Sequence, residues 1–206
     1  MKSAKLFAVI LFLLTNFSFQ STAQLNESLI AELDSMVSLD QRFRAAYRNV
    51  TNFSTDSITT VQVVTAMEAI DSVHYYRLNE MFEEYGFLDY DLVGEKGSSH
   101  FWLLVQHQDK HPEFQEAVLA AMKEAVDQKN ASELDYAYLL DRVLVNGGQL
   151  QVYGTQMSLN ADSTSYIPKP VEDPEKLDKR RKKVGLPPIS LYIKLMNERH
   201  IGNLHQ

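Results

Sequence analysis

The sequence predicts a mainly α protein: an array of about six to seven helices with one short β-hairpin late in the chain. Three observations carry this reading. Apolar residues recur at three- and four-residue spacing through most of the chain, the period of a one-sided helix. Gly86, Pro112, Gly147-Gly148, Gly185 and Pro187-Pro188 punctuate these stretches, as helix stops and starts do. Only 149–153 (QLQVY) alternates polar and apolar residues like a strand.

The first helix is expected over 25–47, with Leu29, Leu33, Met36, Val37, Phe43 and Tyr47 on one face and Asn26 as its cap. Residues 49–57 are polar and read as a loop. A second helix runs from about 59 to 85, with Val63, Met67, Ile70, Leu78, Met81 and Phe82 inward and Gly86 as its stop. Residues 87–99, holding Gly94 and Gly97, read as a connection to a short apolar helix over 100–106. Pro112 opens a fourth helix, because the N–H it lacks has no partner in a first turn. The fourth helix turns Phe114, Val118, Leu119, Met122 and Val126 inward. A fifth spans 132–145 and ends at Gly147-Gly148. The hairpin follows, strands at 149–153 and 156–159 flanking a turn at Gly154, and 160–171 reads as loop. Asp173-Pro174-Glu175 starts a further helix that Gly185 stops, and Pro187-Pro188 starts the last, with Leu191 and Leu195 inward.

The N-terminus reads as a signal peptide over 1–23. Lys2 and Lys5 form a positive start, 6–14 (LFAVILFLL) is an apolar run, and Ser21-Thr22-Ala23 ends in small residues. Thr15, Asn16, Ser18 and Gln20 break the run well short of the roughly 20 apolar residues a spanning helix needs. The expectation is therefore an exported protein, periplasmic or extracellular, with no stable membrane insertion after cleavage and one helical domain over 24–206. Removing Lys2 and Lys5 with the leader takes the 20 Lys and Arg to 18 against 27 Asp and Glu, a net charge of −9. That balance disfavours nucleic acid as a partner; a small molecule or another protein fits better. With no cysteine in the sequence, disulfides, zinc–thiolate sites and a thiol nucleophile are excluded.

Polar residues on apolar faces mark candidate chemistry, since burying one unpaired costs about 1–3 kcal/mol. Asp141 sits on a stripe with Leu134, Ala137, Tyr138, Leu144 and Val145. Gln115 sits among Val118, Leu119 and Met122, and His74 between Ile70 and Leu78. Asp40 interrupts the first stripe one turn before Arg44, positioned to pair with it. Gln149, Gln151 and Tyr153 share one strand face. The densest cluster is 106–111 (QHQDKH), where His107 suits general acid–base work. His107, Asp109 and His111 suit a metal by ligand type, but Pro112 disfavours helical backbone at His111, so no metal and no cofactor are assigned. Phosphate loops, G-x-S-x-G and H-E-x-x-H are absent from the sequence. The basic run Lys179 to Lys183 reads as a helix C-terminus complementing the helix dipole.

These residues also resemble a bacterial family known only as a domain of unknown function. The resemblance lies in Asp40-Gln41 with Arg44, Val93-Gly94, Trp102, Gln106-His107 with Asp109, and Gln115. It continues through Tyr138-Leu139, Asp141-Arg142-Val143, Gln151, Tyr153-Gly154-Thr155-Gln156, Arg181, Val184-Gly185-Leu186 and Tyr192. His111 is not part of that pattern. The resemblance implies no activity, but its polar set coincides with the positions flagged by periodicity.

Two functional readings stand. In the first, a small-molecule or hydrolase-like site uses His107 as acid–base and Asp141 as its orienting carboxylate. Asp109, Gln115, Arg142, Gln151, Tyr153 and Gln156 contact the substrate. In the second, the protein is a non-catalytic helical interaction module whose polar motifs form a buried structural network.

Overall fold

The computed structural model describes residues 24–53, 57–162 and 164–204, with side chains described outside 49–59 and 199–204. The expected signal peptide lies outside the described residues. Seven helices and one antiparallel hairpin are formed by the residues described. In order these are α1 (Glu27–Phe53), α2 (Ser57–Tyr85), α3 (Tyr90–Gln106), α4 (Pro112–Asp127), α5 (Glu133–Asn146), β1 (Met157–Leu159), β2 (Tyr166–Pro168), α6 (Leu177–Lys183) and α7 (Ile189–Leu204). A 3-10 turn over Pro174–Lys176 leads into α6. No described helix is long and apolar enough to cross a membrane.

The expected stripes build the core. Leu29, Leu33 and Met36 of α1 and Leu78 and Met81 of α2 are buried against Val93, Phe101, Leu104 and Val105 of α3. Phe114, Val118, Leu119 and Met122 of α4 and Leu139 of α5 complete the cluster. Each such side chain, fully buried, is worth about 1.5–3 kcal/mol. α1 packs on α2 and α3, α4 packs on α5, and α3 touches α1, α2, α4 and α5. Caps follow the sequence: Asn26 Oδ1 accepts the N–H of Leu29 at 3.1 Å, and Ser132 Oγ that of Asp135 at 3.1 Å. Tyr47, Leu134, Leu191 and Leu195, expected inward, are instead 36 %, 38 %, 45 % and 45 % exposed.

Two expectations are corrected. The connection read at 87–99 is mostly helix. Asp89 caps α3, accepting the N–H of Leu92 at 3.0 Å, and the helix runs on through a kink at Gly94 (φ 70°, ψ 171°). That backbone is essentially confined to glycine. Gly97 lies within α3, where an added Cβ would come within 2.7 Å of the Val93 side chain and 3.5 Å of Ile30 on α1. Both glycines, read as breakers, are thus a kink and a close helix crossing.

The hairpin also lies one strand later than expected. Residues 156–159 do supply β1, but its partner β2 comes from the stretch read as loop, with Ser158 opposite Ile167. Residues 149–153 form no ladder; Gln151 makes only an isolated parallel bridge to Val171. The reason is that the N–H groups of Val152, Tyr153 and Thr155 all donate to the Asp141 carboxylate.

Candidate functional site

α3 ends at Gln106, and His107 terminates it, donating its backbone N–H to the Leu104 carbonyl at 3.1 Å. Residues 107–111 then turn twice before Pro112 opens α4. Gln115, 1 % exposed, clasps this turn: its Nε2 donates to the carbonyls of Val105 and Gln106 at 3.0 and 3.3 Å and to Asp109 Oδ1 at 3.3 Å.

The turn presents His107 to the buried carboxylate of Asp40 on α1. His107 Nδ1 lies 2.9 Å from Asp40 Oδ1, and Arg44 Nε donates to the same oxygen at 3.0 Å. Gln41 Nε2 donates to Oδ2 at 2.8 Å. Burial alone would raise the Asp40 carboxyl, but the bonds from His107, Arg44 and Gln41 hold it below the ordinary aspartate value. An ionised carboxylate only accepts, so the proton of a neutral His107 sits on Nδ1. Nε2 is then the lone-pair nitrogen, and it has no hydrogen-bond partner among the described residues. Arg44 Nε is also 3.0 Å from His107 Nδ1; with Nδ1 protonated, both N–H groups converge on the shared Asp40 oxygen.

Arg44 reaches across to α2 as well. Its Nη2 donates to Asp71 Oδ1 at 2.7 Å, and Nη1 lies 3.6 Å from the Met67 sulfur. Burial raises the Asp71 carboxyl and outweighs the opposing effect of Arg44. The two carboxylates on one guanidinium are thus displaced in opposite directions.

His107, Arg44 and Asp71 line a cavity of about 460 Å³, within the range of small-molecule pockets. Met67, Glu68 and Ser72 of α2, residues 108–111 and Arg142 of α5 complete its wall. On the α5 side, Arg142 holds Asp109 with two bonds, Nε to Oδ1 at 2.8 Å and Nη2 to Oδ2 at 2.7 Å, and Asn146 adds a third at 2.9 Å. Burial pushes the Asp109 carboxyl up, but these donors win and lower it. Lys110 pairs with Glu68 at 3.2 Å, joining the turn to α2. His111 stacks on Tyr75, centroids 3.4 Å apart. Among the described residues, no group of three His, Asp or Glu side chains converges as a metal site requires.

A second polar cluster is separate. Asp141, fully buried, accepts the N–H groups of Val152 (2.7 Å), Tyr153 (2.9 Å) and Thr155 (2.9 Å) and the Thr155 hydroxyl (2.9 Å). Gln151, also fully buried, donates to the carbonyls of Gln156 and Lys169 at 3.0 and 2.7 Å and accepts the Gln156 N–H at 2.9 Å. The Gln156 amide is bonded to the Thr155 hydroxyl at 3.2 Å. Arg181, buried on α6, donates to the Tyr153 and Pro187 carbonyls, both at 2.6 Å, beneath the Tyr192 ring. Its place in the basic run is structural: it ties α6 to the Tyr153-Gly154 turn.

The candidate residues therefore divide. His107, Asp109 and Arg142 meet at the cavity, whereas Asp141, Gln115, Gln151, Tyr153 and Gln156 do not line it; four of them bond neighbouring groups through their side chains, and Tyr153 does so through its backbone N–H and carbonyl. The carboxylate that orients His107 is Asp40, not Asp141. Asp141 fills its acceptor capacity with the 152–155 backbone and the Thr155 hydroxyl, while the packing of α1 on α3 brings Asp40 to the end of α3. Sequence reasoning found the Asp40–Arg44 pair but not its link to His107, 63 residues beyond Arg44. Asp71 went unflagged because a single acid beside Ile70 on an otherwise amphipathic helix resembles any solvated position.

No curated protein and no solved structure matches the chain. Residues 27–203 match the model of a family of unknown function (DUF6624), and the chain belongs to that family.

Proposed function

We propose that the cleft is a small-molecule site of hydrolase-like, acid–base character, with His107 as the proton-transferring group and Asp40 as the residue that orients it. The observation that carries this reading is the 2.9 Å contact of His107 Nδ1 with a buried carboxylate in a wall of the 460 Å³ cavity. In the neutral imidazole it leaves Nε2 as the lone-pair nitrogen. In such a site Nε2 takes a proton from a water or hydroxyl as that oxygen bonds to the ligand's electrophilic carbon. Asp40 stabilises the resulting imidazolium, and the proton passes to the leaving group as its bond breaks. Arg142 and Asp109, locked together, form a rigid wall rather than a mobile clamp. Export through residues 1–23 would put this chemistry outside the cytoplasm.

The alternative, a non-catalytic interaction module with a structural polar network, draws support from the second cluster. Asp141, Gln151 and Arg181 bind backbone, the Thr155 hydroxyl donates to Asp141, and no ligand is needed to explain them. That account does not explain a dyad at the wall of a cavity, and we assign the two clusters different roles.

The test is hydrolysis of p-nitrophenyl acetate and butyrate, measured beside carbethoxylation of His107 read by peptide mass spectrometry. Saturable turnover is expected to fall by about 10²-fold or more in His107→Gln and Asp40→Asn, and modification of His107 is expected to track the loss. Turnover identical in wild type and His107→Gln, or no turnover with His107 inert to the reagent, refutes the reading.

A further inference from the structure

Every cation in the cavity wall is already matched. Arg142 is bonded twice to Asp109, Lys110 is paired with Glu68, and Arg44 serves both Asp40 and Asp71. Since Arg44 serves two carboxylates, this group carries an excess negative charge whenever both are ionised and His107 is neutral. Among the charged and imidazole groups that meet around Arg44, two acceptor atoms are unmatched. Asp71 Oδ2 has no hydrogen-bond partner among the described residues and is not sealed from the cavity. His107 Nε2 is in the same position. Burial raises the Asp71 carboxyl despite the adjacent guanidinium, as expected of a carboxylate short of positive partners. The net charge of −7 adds a favourable field for a positive ligand.

We propose that the cleft recognises a small molecule bearing a cationic nitrogen, an ammonium or guanidinium group, which donates to Asp71 Oδ2 and lies within reach of His107 Nε2. The proposal rests on the small-molecule reading above and names its ligand class. An anionic ligand would find no unpaired Arg or Lys and would have to compete with the carboxylates of the four ion pairs that hold them. A cationic one completes the Asp71 coordination without disturbing any of them. The cavity's apolar contribution, from Met67 and the side-chain stems of Glu68 and Lys110, suits a short aliphatic chain behind the charged head.

The experiment is thermal unfolding of the full chain with three probes of matched length: hexylammonium, hexylguanidinium and hexanoate. At about ten times Kd, a bound probe raises Tm by about 3–5 °C for a domain of this size. The expected result is that rise with one or both cations, none with hexanoate, and loss of the cation effect in Asp71→Asn. A second measurement, in wild type alone, is protection of His107 from carbethoxylation by the cation. A hexanoate shift equal to that of the cations, no shift with any probe, or an undiminished cation shift in a folded Asp71→Asn overturns the proposal. The two readings fail separately. His107-dependent ester turnover without cation binding removes only this inference, and cation binding without turnover removes only the catalysis.

Discussion

Replacing Asp141 with asparagine gives the sharpest test of the division into two clusters. The side chain keeps its shape but loses its charge and one acceptor oxygen. If the remaining oxygen keeps the Val152 and Tyr153 donors at 2.7 and 2.9 Å, the new amide NH₂ faces the N–H of Thr155, donor against donor, where Oδ2 accepted at 2.9 Å. The Thr155 hydroxyl can rotate and accept; its backbone N–H cannot. A buried orphan donor costs about 1–3 kcal/mol, and loss of charge assistance on the surviving bonds adds about 1 kcal/mol. The total is about 3 kcal/mol, or a fall in Tm of about 6–12 °C at 2–4 °C per kcal/mol. Calorimetry at pH 7 beside His107→Gln measures it. His107 is 15 % exposed and Asp40 keeps Arg44 and Gln41 without it, so that variant is expected within about 2 °C of wild type. If Asp141→Asn melts within 1 °C of wild type, the nest does not hold the 151–156 segment and the assignment of Asp141 to structure fails.

Two further outcomes follow from local chemistry. Burial raises Asp135 from 3.8 to about 6, against the bonds from Ser99 and Ser132. A folded pKa above the unfolded one means the native state holds the extra proton, so its stability is full below pH 4 and declines as pH rises through about 6. The shift corresponds to at most about 3 kcal/mol, reduced by solvent screening of this partly exposed carboxyl and by up to about 1 kcal/mol from the α5 N-terminal dipole. Asp135→Asn should therefore flatten the fall in Tm between pH 4 and 7 and melt higher at pH 7; an unchanged slope would show that Asp135 does not titrate as described. At Gly94, an alanine Cβ would touch only the flexible end of Leu25 at 3.4 Å, so backbone strain at φ 70°, ψ 171° dominates. Gly94→Ala should cost about 2 kcal/mol, read as a Tm lower by about 4–8 °C; a shift under 1 °C would mean the kink relaxes.

The helices were legible where one physical signal acted alone. Leu29, Leu33 and Met36, or Val118, Leu119 and Met122, repeat at helical spacing and are buried as that spacing implies. Inward polar residues were legible for the same reason: Asp40, His74, Gln115 and Asp141 interrupt apolar stripes, and all four are buried. Their partners were not legible, because a stripe says that a side chain points inward and not what it meets there. Asp141 took backbone donors only 11 to 14 residues away, while His107 took a carboxylate 67 residues away. The alternation at 149–153 misled for a related reason. Gln151 is buried by its own hydrogen bonds and Leu150 is 52 % exposed, the reverse of what a half-buried strand would give.

Asp141 and Arg142 are neighbours on α5, so their side chains leave the helix about a quarter-turn apart. One enters the nest of residues 152–155 and the other grips Asp109 in the cavity wall. Asp109 in turn shares the Gln115 amide with the carbonyls that end α3, directly before His107. The position of His107 is thus fixed from three directions: Asp40 and Arg44 from α1, Gln115 from α4, and Arg142 through Asp109 from α5. On the proposed acid–base reading, a dyad held in this way needs little reorganisation when a proton moves. The buried nest has a role in this arrangement too. By pinning 151–156 against α5 it holds the helix that carries Arg142, which is how a residue that never touches the cavity can help set its shape.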